Sequence, residues 1–356
     1  MGKRFLSALC IISLSLAGLS GCGESDDAIK AGMTDIKDHK YAEAVTGFNT
    51  AMENGSSKRS CLRGLGISYL EQSMYPEAED CFKRALGAGS GIPDSMDFDI
   101  AYYLAKTLQK QDRYEEAVSV YDAILDLRPS ERDAVYLRGV CRLELGDHDS
   151  ALSDFTKTIS MDNDDYDRII AVYQQLADKG YEEEGLGILQ GVWDPDHMTN
   201  YEMGQISYYL GNNAQAQNYL ELARSEKTTS DKTPVVMLLG KTGEKQGDFN
   251  YAVSVYRSFL EEHPDNAAIY NRLGICEVKM AESMGDSSYY EAAIADFEAG
   301  IALGDPDEAM SLLRNQITAY EYMGDFATAK NLIAAYLEQY PDDRDAAREA
   351  QFLSTR

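Results

Sequence analysis

Basic residues are in short supply. The chain carries 33 lysines and arginines against 60 aspartates and glutamates, a formal net charge of −27 spread along its length. A field of that sign repels phosphate backbones and anionic headgroups, which excludes nucleic acid and points instead to basic or amphipathic partners. Histidine is rarer still, four in 356 residues. His39, His148, His197 and His263 make no HExxH or CxxH pair, so a zinc hydrolase has no basis. The six cysteines show no CxxC or other metal-ligand spacing. Cys141 in "RGVC" and Cys276 in "LGIC" each follow a glycine by two places, the placement of a small buried hydrophobe. Cys61 and Cys81 lie 20 apart and stand either as reduced thiols or as a disulfide. No nucleophile–base pair stands out, and carboxylate pairs arise by chance among so many acids. The expectation is a chain without cofactor or metal that is not an enzyme. Prolines are few, eight in all, and Ala, Leu, Glu and Tyr dominate, which favours helix. A hydrophobic content of 44% argues for a sizeable core and against wholesale disorder.

Long apolar runs are also missing, with one exception. Phe5 to Leu19 is apolar, follows Lys3 and Arg4, and is too short for a typical membrane span. Leu19-Ser20-Gly21-Cys22 comes next, then an acidic stretch from Glu24. This resembles the bacterial lipoprotein signal. The resemblance implies cleavage after residue 21 and a diacylglycerol group on the thiol of Cys22. It divides the N-terminus into a signal at 1–21 and a lipid-anchored start at 22–24. It places the protein on the cell membrane, facing outside the cytoplasm.

The rest of the chain repeats itself. A small residue followed four places later by a bulky one recurs as Ala44/Phe48, Ala78/Phe82, Ala117/Tyr121, Ala151/Phe155, Gly185/Leu189, Ala216/Leu220, Ala252/Tyr256, Ala293/Phe297 and Ala329/Ile333. The steps are 34, 39, 34, 34, 31, 36, 41 and 36 residues. A second small residue stands 12 places before most of these: Gly32, Gly66, Ala105, Gly139, Gly204 and Gly240. Turn signals lie between, at Gly146-Asp147, Gly211-Asn212, Gly247-Asp248 and Gly324-Asp325. Pro129, Pro264, Pro306 and Pro341 come near the ends of units, where they stop a helix. Each unit is therefore a helix, a short turn and a second helix. Its two small residues are expected to meet across the turn, with the bulky residue filling the adjoining groove. One such hairpin cannot bury its apolar face alone, whereas a stack can.

The spacing resembles the tetratricopeptide repeat (TPR) family, with L-G-x2-Y, then A-x3-F, then Pro in a 34-residue unit. "LGISYLEQSMYPEAEDCFKRAL" (Leu65–Leu86) and "YLAKTLQKQDRYEEAVSVYDAILDLRP" (Tyr103–Pro129) carry the match. The resemblance implies an all-α fold, a right-handed α-solenoid superhelix of about nine units over residues 25–342. Residues 343–356 form a polar capping helix. The unit at 166–196 is degenerate, with Tyr173 in place of the first small residue and Gly185 in place of Ala. The eighth carries extra residues, Ala281 to Tyr289, between its helices.

The resemblance also implies that the first helices line a concave groove that receives a protein or peptide. The groove positions carried onto this chain are Tyr102, Lys106, Gln109, Tyr136, Val140, Gln174, Tyr201, Gln205, Tyr208, Lys241, Asn271 and Arg314. Tyrosine there offers apolar area, a hydroxyl and little rotamer entropy to lose. The Lys/Asn pattern with which some TPR domains clamp a C-terminal carboxylate is not reproduced in consecutive units. The expected function is a membrane-tethered scaffold of the cell envelope. The alternative is a solute- or glycan-binding lipoprotein that uses the aromatic groove.

Three local motifs compete with this reading and lose. Gly240-Lys241-Thr242 looks like the end of a P-loop, but position 235, where the first glycine belongs, is Val235. Gly240 falls at the small position of a first helix, and Lys241 then faces the groove. "GAGSG" (Gly87–Gly91) is a link between units and accounts for the 39-residue step. "DNDDYD" (Asp162–Asp167) lacks the glycine and closing glutamate of a calcium loop.

Overall fold

The computed structural model describes residues 27–227 and 231–356. The signal at 1–21 and Cys22 lie outside the described residues. Among those described, the fold is all-α: nineteen helices and no strand, in the repeating helix–turn–helix arrangement of an α-solenoid. Contacts divide the chain into two compact units, residues 1–188 and 189–356.

The first unit opens with four hairpins. These are α1 (Asp27–Lys37) with α2 (Tyr41–Glu53), α3 (Lys58–Glu71) with α4 (Tyr75–Gly87), α5 (Ser95–Lys110) with α6 (Tyr114–Leu127), and α7 (Arg132–Glu144) with α8 (His148–Met161). A fifth pairs α9 (Tyr166–Asp178) with α10 (Glu182–Gly191), and the division between the units falls within α10. The second unit continues with α11 (Asn200–Tyr209) and α12 (Asn213–Ser225), α13 (Thr233–Gln246) and α14 (Phe249–Glu262), α15 (Ala267–Met284) and α16 (Ser288–Ala302), and α17 (Pro306–Met323) and α18 (Phe326–Gln339). A single helix, α19 (Arg344–Leu353), packs on α18. In the first unit α2, α4 and α6 each pack on the next first helix; in the second, α12, α14 and α16 do the same.

Local chemistry sets the hairpins. All nine turns hold one residue in the left-handed region at an equivalent place: His39, Ser73, Asp112, Gly146, Gly180, Gly211, Gly247, Gly285 and Gly324. That conformation stops the first helix. Where aspartate follows glycine, its carboxylate starts the second: Asp147, Asp248 and Asp325 accept the N–H of Ser150, Tyr251 and Thr328 at 3.4, 3.0 and 3.1 Å. Pro129, Pro264 and Pro341 directly follow the C-caps of α6, α14 and α18. Pro306 differs from the others. It occupies the first turn of α17, where its missing N–H has no partner to lose, so it begins a helix rather than ending one. The extra residues 281–289 do not form a loop. α15 runs on to Met284, and α16 takes up Ser288 and Tyr289.

The repeat register is the register of the core. The bulky residues, from Phe48 to Ile333, are all at most 1% exposed. The partner of the glycine 12 places before the second small residue is this bulky residue rather than the small one expected. A Cβ added to Gly32, Gly66, Gly139 or Gly204 would lie 2.8, 2.5, 2.9 or 2.6 Å from Phe48, Phe82, Phe155 or Leu220. On Gly240 it would fall inside the Tyr256 ring. Phe48 also covers Gly64 of the next hairpin, so one ring joins two first helices. Complete burial of such side chains contributes about 1.5–3 kcal/mol each.

Candidate partner-binding face

All twelve positions expected in a groove lie on first helices. Three turn away from solvent, contrary to the expectation of a groove position. Tyr136 on α7 is 1% exposed; its ring packs 5.9 Å from Phe155, and the Arg168 guanidinium lies over it at 4.4 Å. Gln109 on α5 is half-buried instead, its amide donating to the Tyr121 hydroxyl at 2.9 Å and reaching the Cys141 sulfur at 3.1 Å. Gln205 on α11 is buried and donates to the Tyr201 hydroxyl at 3.0 Å. Asn271 on α15 is buried as well. Its amide donates to Glu308 and Ser311 of α17 at 2.9 and 2.8 Å and accepts from Asn315 at 2.7 Å.

The remaining eight stay partly open to solvent. In the first unit they are Tyr102, Lys106, Val140 and Gln174. Burial raises the phenol pKa of Tyr102, and the charges of Glu131 and Asp133 add to the effect. In the second unit they are Tyr201, Tyr208, Lys241 and Arg314. The Tyr208 ring meets Tyr209 edge-on at 5.1 Å, with the Lys245 ammonium 4.7 Å above it. Burial lowers the pKa of the Lys241 ammonium, and nearby Arg272 lowers it further.

Ion pairs between neighbouring first helices were not foreseen. Lys106 reaches Glu71 on α3 at 3.4 Å, and Arg168 reaches Asp133 at 2.6 Å. Arg63 pairs with Asp99, Lys179 with Glu144, Arg272 with Glu244, and Arg314 with Glu349 of α19. Lys245 donates to the Tyr208 carbonyl at 3.0 Å. Each of these joins residues 28 to 37 apart in sequence, close to one repeat. That separation between opposite charges was the available signal. Partly exposed pairs contribute little individually, but here they join α3 to α5, α7 to α9, α11 to α13, α13 to α15 and α17 to α19. Of the cations in the expected groove, Lys106 and Arg314 belong to this set.

Arg257 and Arg314 each lie beside two carboxyls that crowd one another. Arg257 pairs with buried Glu277 and lies 3.9 Å from Asp296. Burial and the Asp296 charge raise the Glu277 pKa well above the carboxylate range. Arg314 pairs with Glu349, and burial together with the Glu349 charge raises Glu321. One cation offsets only part of the charge of two neighbouring carboxyls, which favours the protonated form of one of them.

The competing motifs have structural roles. Gly240-Lys241-Thr242 lies within α13, and the Thr242 hydroxyl donates to the Leu238 carbonyl at 2.8 Å. Asp162 and Asp165 of the acidic run both pair with Arg132 at 2.7 Å, and Asp165 caps α9. Cys61, Cys81, Cys141 and Cys276 are buried and none of them is in a disulfide, so the disulfide alternative falls. Burial pushes the Cys81 and Cys141 thiols up to about 11 and about 12, which leaves them unreactive.

Comparison with known proteins agrees with this architecture. Residues 102–167 and 315–343 match family models described as tetratricopeptide repeat, one match in each compact unit. Such repeats mediate protein–protein interaction. The TPR repeat-containing protein YsoA of Bacillus subtilis (strain 168) is 29% identical over 101 residues, which is 28% of this chain; the match spans 29% of that protein. Among solved structures, a tetratricopeptide repeat protein from Parabacteroides merdae ATCC 43184 is 14% identical with TM-score 0.47, covering 84% of this chain and 99% of the other. YrrB, a TPR protein with an unusual peptide-binding site, is 24% identical with TM-score 0.38, covering 52% of this chain and 90% of its own.

Proposed function

We propose that the chain is a scaffold that binds a protein or peptide in the bacterial cell envelope, held on the membrane by a lipid at Cys22. The tetratricopeptide matches in both units carry the protein-binding part of this reading. The first-helix positions left partly open, led by Tyr102, Tyr201 and Tyr208, supply the aromatic contact area. The net charge of −27 favours a basic or amphipathic partner. The tether rests on the lipoprotein-like sequence around Cys22 alone.

The Tyr208–Tyr209 pair keeps a second reading in play, a glycan or other solute stacked on aromatic rings. Cross-linking and pull-down from intact cells, run beside a thermal-stabilisation screen with oligosaccharides, separates the two. A reproducible protein adduct with no oligosaccharide stabilisation is expected. Stabilisation by oligosaccharides with no protein captured would favour the second reading.

A further inference from the structure

The link between the second and third hairpins is longer than the repeat requires, and it stands beside an apolar cleft. Residues 88–94 connect α4 to α5, with Gly91 in the left-handed region at φ +80°. The cleft has a volume of about 480 Å³ and lies wholly within the first compact unit. Leu86, Ile92, Phe98, Leu104, Ile124 and Leu127 form most of its wall. Of these Phe98 is buried, with the Arg128 guanidinium stacked on its ring at 3.5 Å.

Its rim is apolar and exposed. Ile92 is 77% exposed and Leu127 is 59% exposed, the two highest values for large hydrophobic side chains among the described residues. Both border this one cleft. Scattered exposed hydrophobics need no explanation, but convergence on a concave apolar surface marks a docking site.

The surroundings select the occupant. α6 presents Glu115 and Asp126 to solvent beside the lining residues Ser119, Ala123 and Leu127, while Glu116 already pairs with Arg113. Asp97, also at the cleft, already pairs with Arg59. Residues 75–131 hold 12 acids and 6 bases. A second copy of the chain carries the same −27 and is repelled. Anionic lipid is repelled for the same reason.

We propose that this cleft takes the large aliphatic side chains of an amphipathic segment from a protein partner, flanked by lysine or arginine. The inference rests on the scaffold reading above but uses other residues, since none of the open first-helix tyrosines lines the cleft. The partner's apolar anchors enter between Ile92 and Leu127, and its cations meet the carboxylates of α6.

The test uses the full chain and a fluorescently labelled helical peptide of leucine and lysine, leucines spaced three and four apart. A second peptide replaces every lysine with glutamate. Binding is read by anisotropy against wild type, Ile92→Glu, Leu127→Glu and, in the second compact unit, Tyr208→Ala. Both glutamate variants add negative charge at exposed positions. Contact by charge alone would therefore tighten, whereas an anchored contact weakens. The expected result is binding of the lysine peptide only, weakened at least tenfold by Ile92→Glu or Leu127→Glu at unchanged melting temperature, and unaffected by Tyr208→Ala. No binding, equal binding of both peptides, or indifference to the two cleft variants would overturn the proposal. Competition by neutral phosphatidylcholine vesicles in place of peptide binding would overturn it too. Weakening by Tyr208→Ala alone would defeat this inference and leave the scaffold reading standing.

Discussion

Tyr173 and Gly185 exchange the sizes found at the equivalent positions of the other hairpins. A Cβ added to Gly185 would lie 2.9 Å from Cδ2 of Tyr173 and 3.2 Å from its carbonyl oxygen. The two departures that make the fifth repeat look degenerate are one compensated change. Gly185→Ala should therefore destabilise the protein by about 1–3 kcal/mol through overpacking, despite a helix-propensity gain of about 1 kcal/mol. In the background Tyr173→Ala the same change should cost much less. A urea-unfolding double-mutant cycle measures this, and additive effects would contradict it.

Gly240 carries the same logic into the second unit. Gly240→Leu places a side chain inside the space of the Tyr256 ring, and a loss of roughly 1–3 kcal/mol is expected. ATP should leave the wild-type melting temperature unchanged, because the Gly-Lys-Thr sequence is mid-helix. A saturable upward shift with ATP would reopen the phosphate-binding reading.

Glu277 sets a pH dependence whose sign follows from its surroundings. Its folded-state pKa is raised to about 8 by burial and the Asp296 charge. The folded state then binds the proton that the unfolded state releases near 4.3. Its contribution is favourable below that value and is lost as pH rises towards 8, with a slope of at most about 1.36 kcal/mol per pH unit. Glu277→Gln cannot titrate, so it should gain stability relative to wild type from pH 4 to pH 8. Chemical denaturation across that range tests this, and a pH-independent difference would refute it. Asp94 works in the opposite sense. Arg59 holds its carboxyl down to about 2, so its contribution is present above the unfolded value and disappears in acid.

Cys22→Ala should move the protein from the membrane fraction to the soluble fraction of lysed cells. The wild type should remain with membranes after a high-salt wash. Equal partitioning of the two would remove the tether from the account.

Much of the fold was legible because its signals are local. Glycine-aspartate turns and the Ala-x3-Phe register both act within a few residues, and both fall where the structure has turns and core. The small-residue partners were misjudged through side-chain direction. Side chains on a helix lean toward its N-terminus. The Tyr256 ring therefore leans back over the level of Ala252 and reaches Gly240, while the Ala252 methyl leaves it room. The open face was only half legible. Periodicity places Tyr136, Gln205 and Asn271 on the correct helices but does not give the rotation of the neighbouring helix. That rotation decides whether a side chain meets solvent or the next repeat. Pairs such as Asp133 and Arg168, one repeat apart, hold the missing information.

The scaffold reading is tested most directly by a photo-activated cross-linking residue placed in intact cells at Val140 on α7 or Gln174 on α9. Asp149 on α8, with a fully exposed side chain, serves as the comparison position. The account predicts the same protein adduct from Val140 and Gln174 and none from Asp149. Absence of a protein adduct at both first-helix positions, or an equal adduct at Asp149, would contradict it.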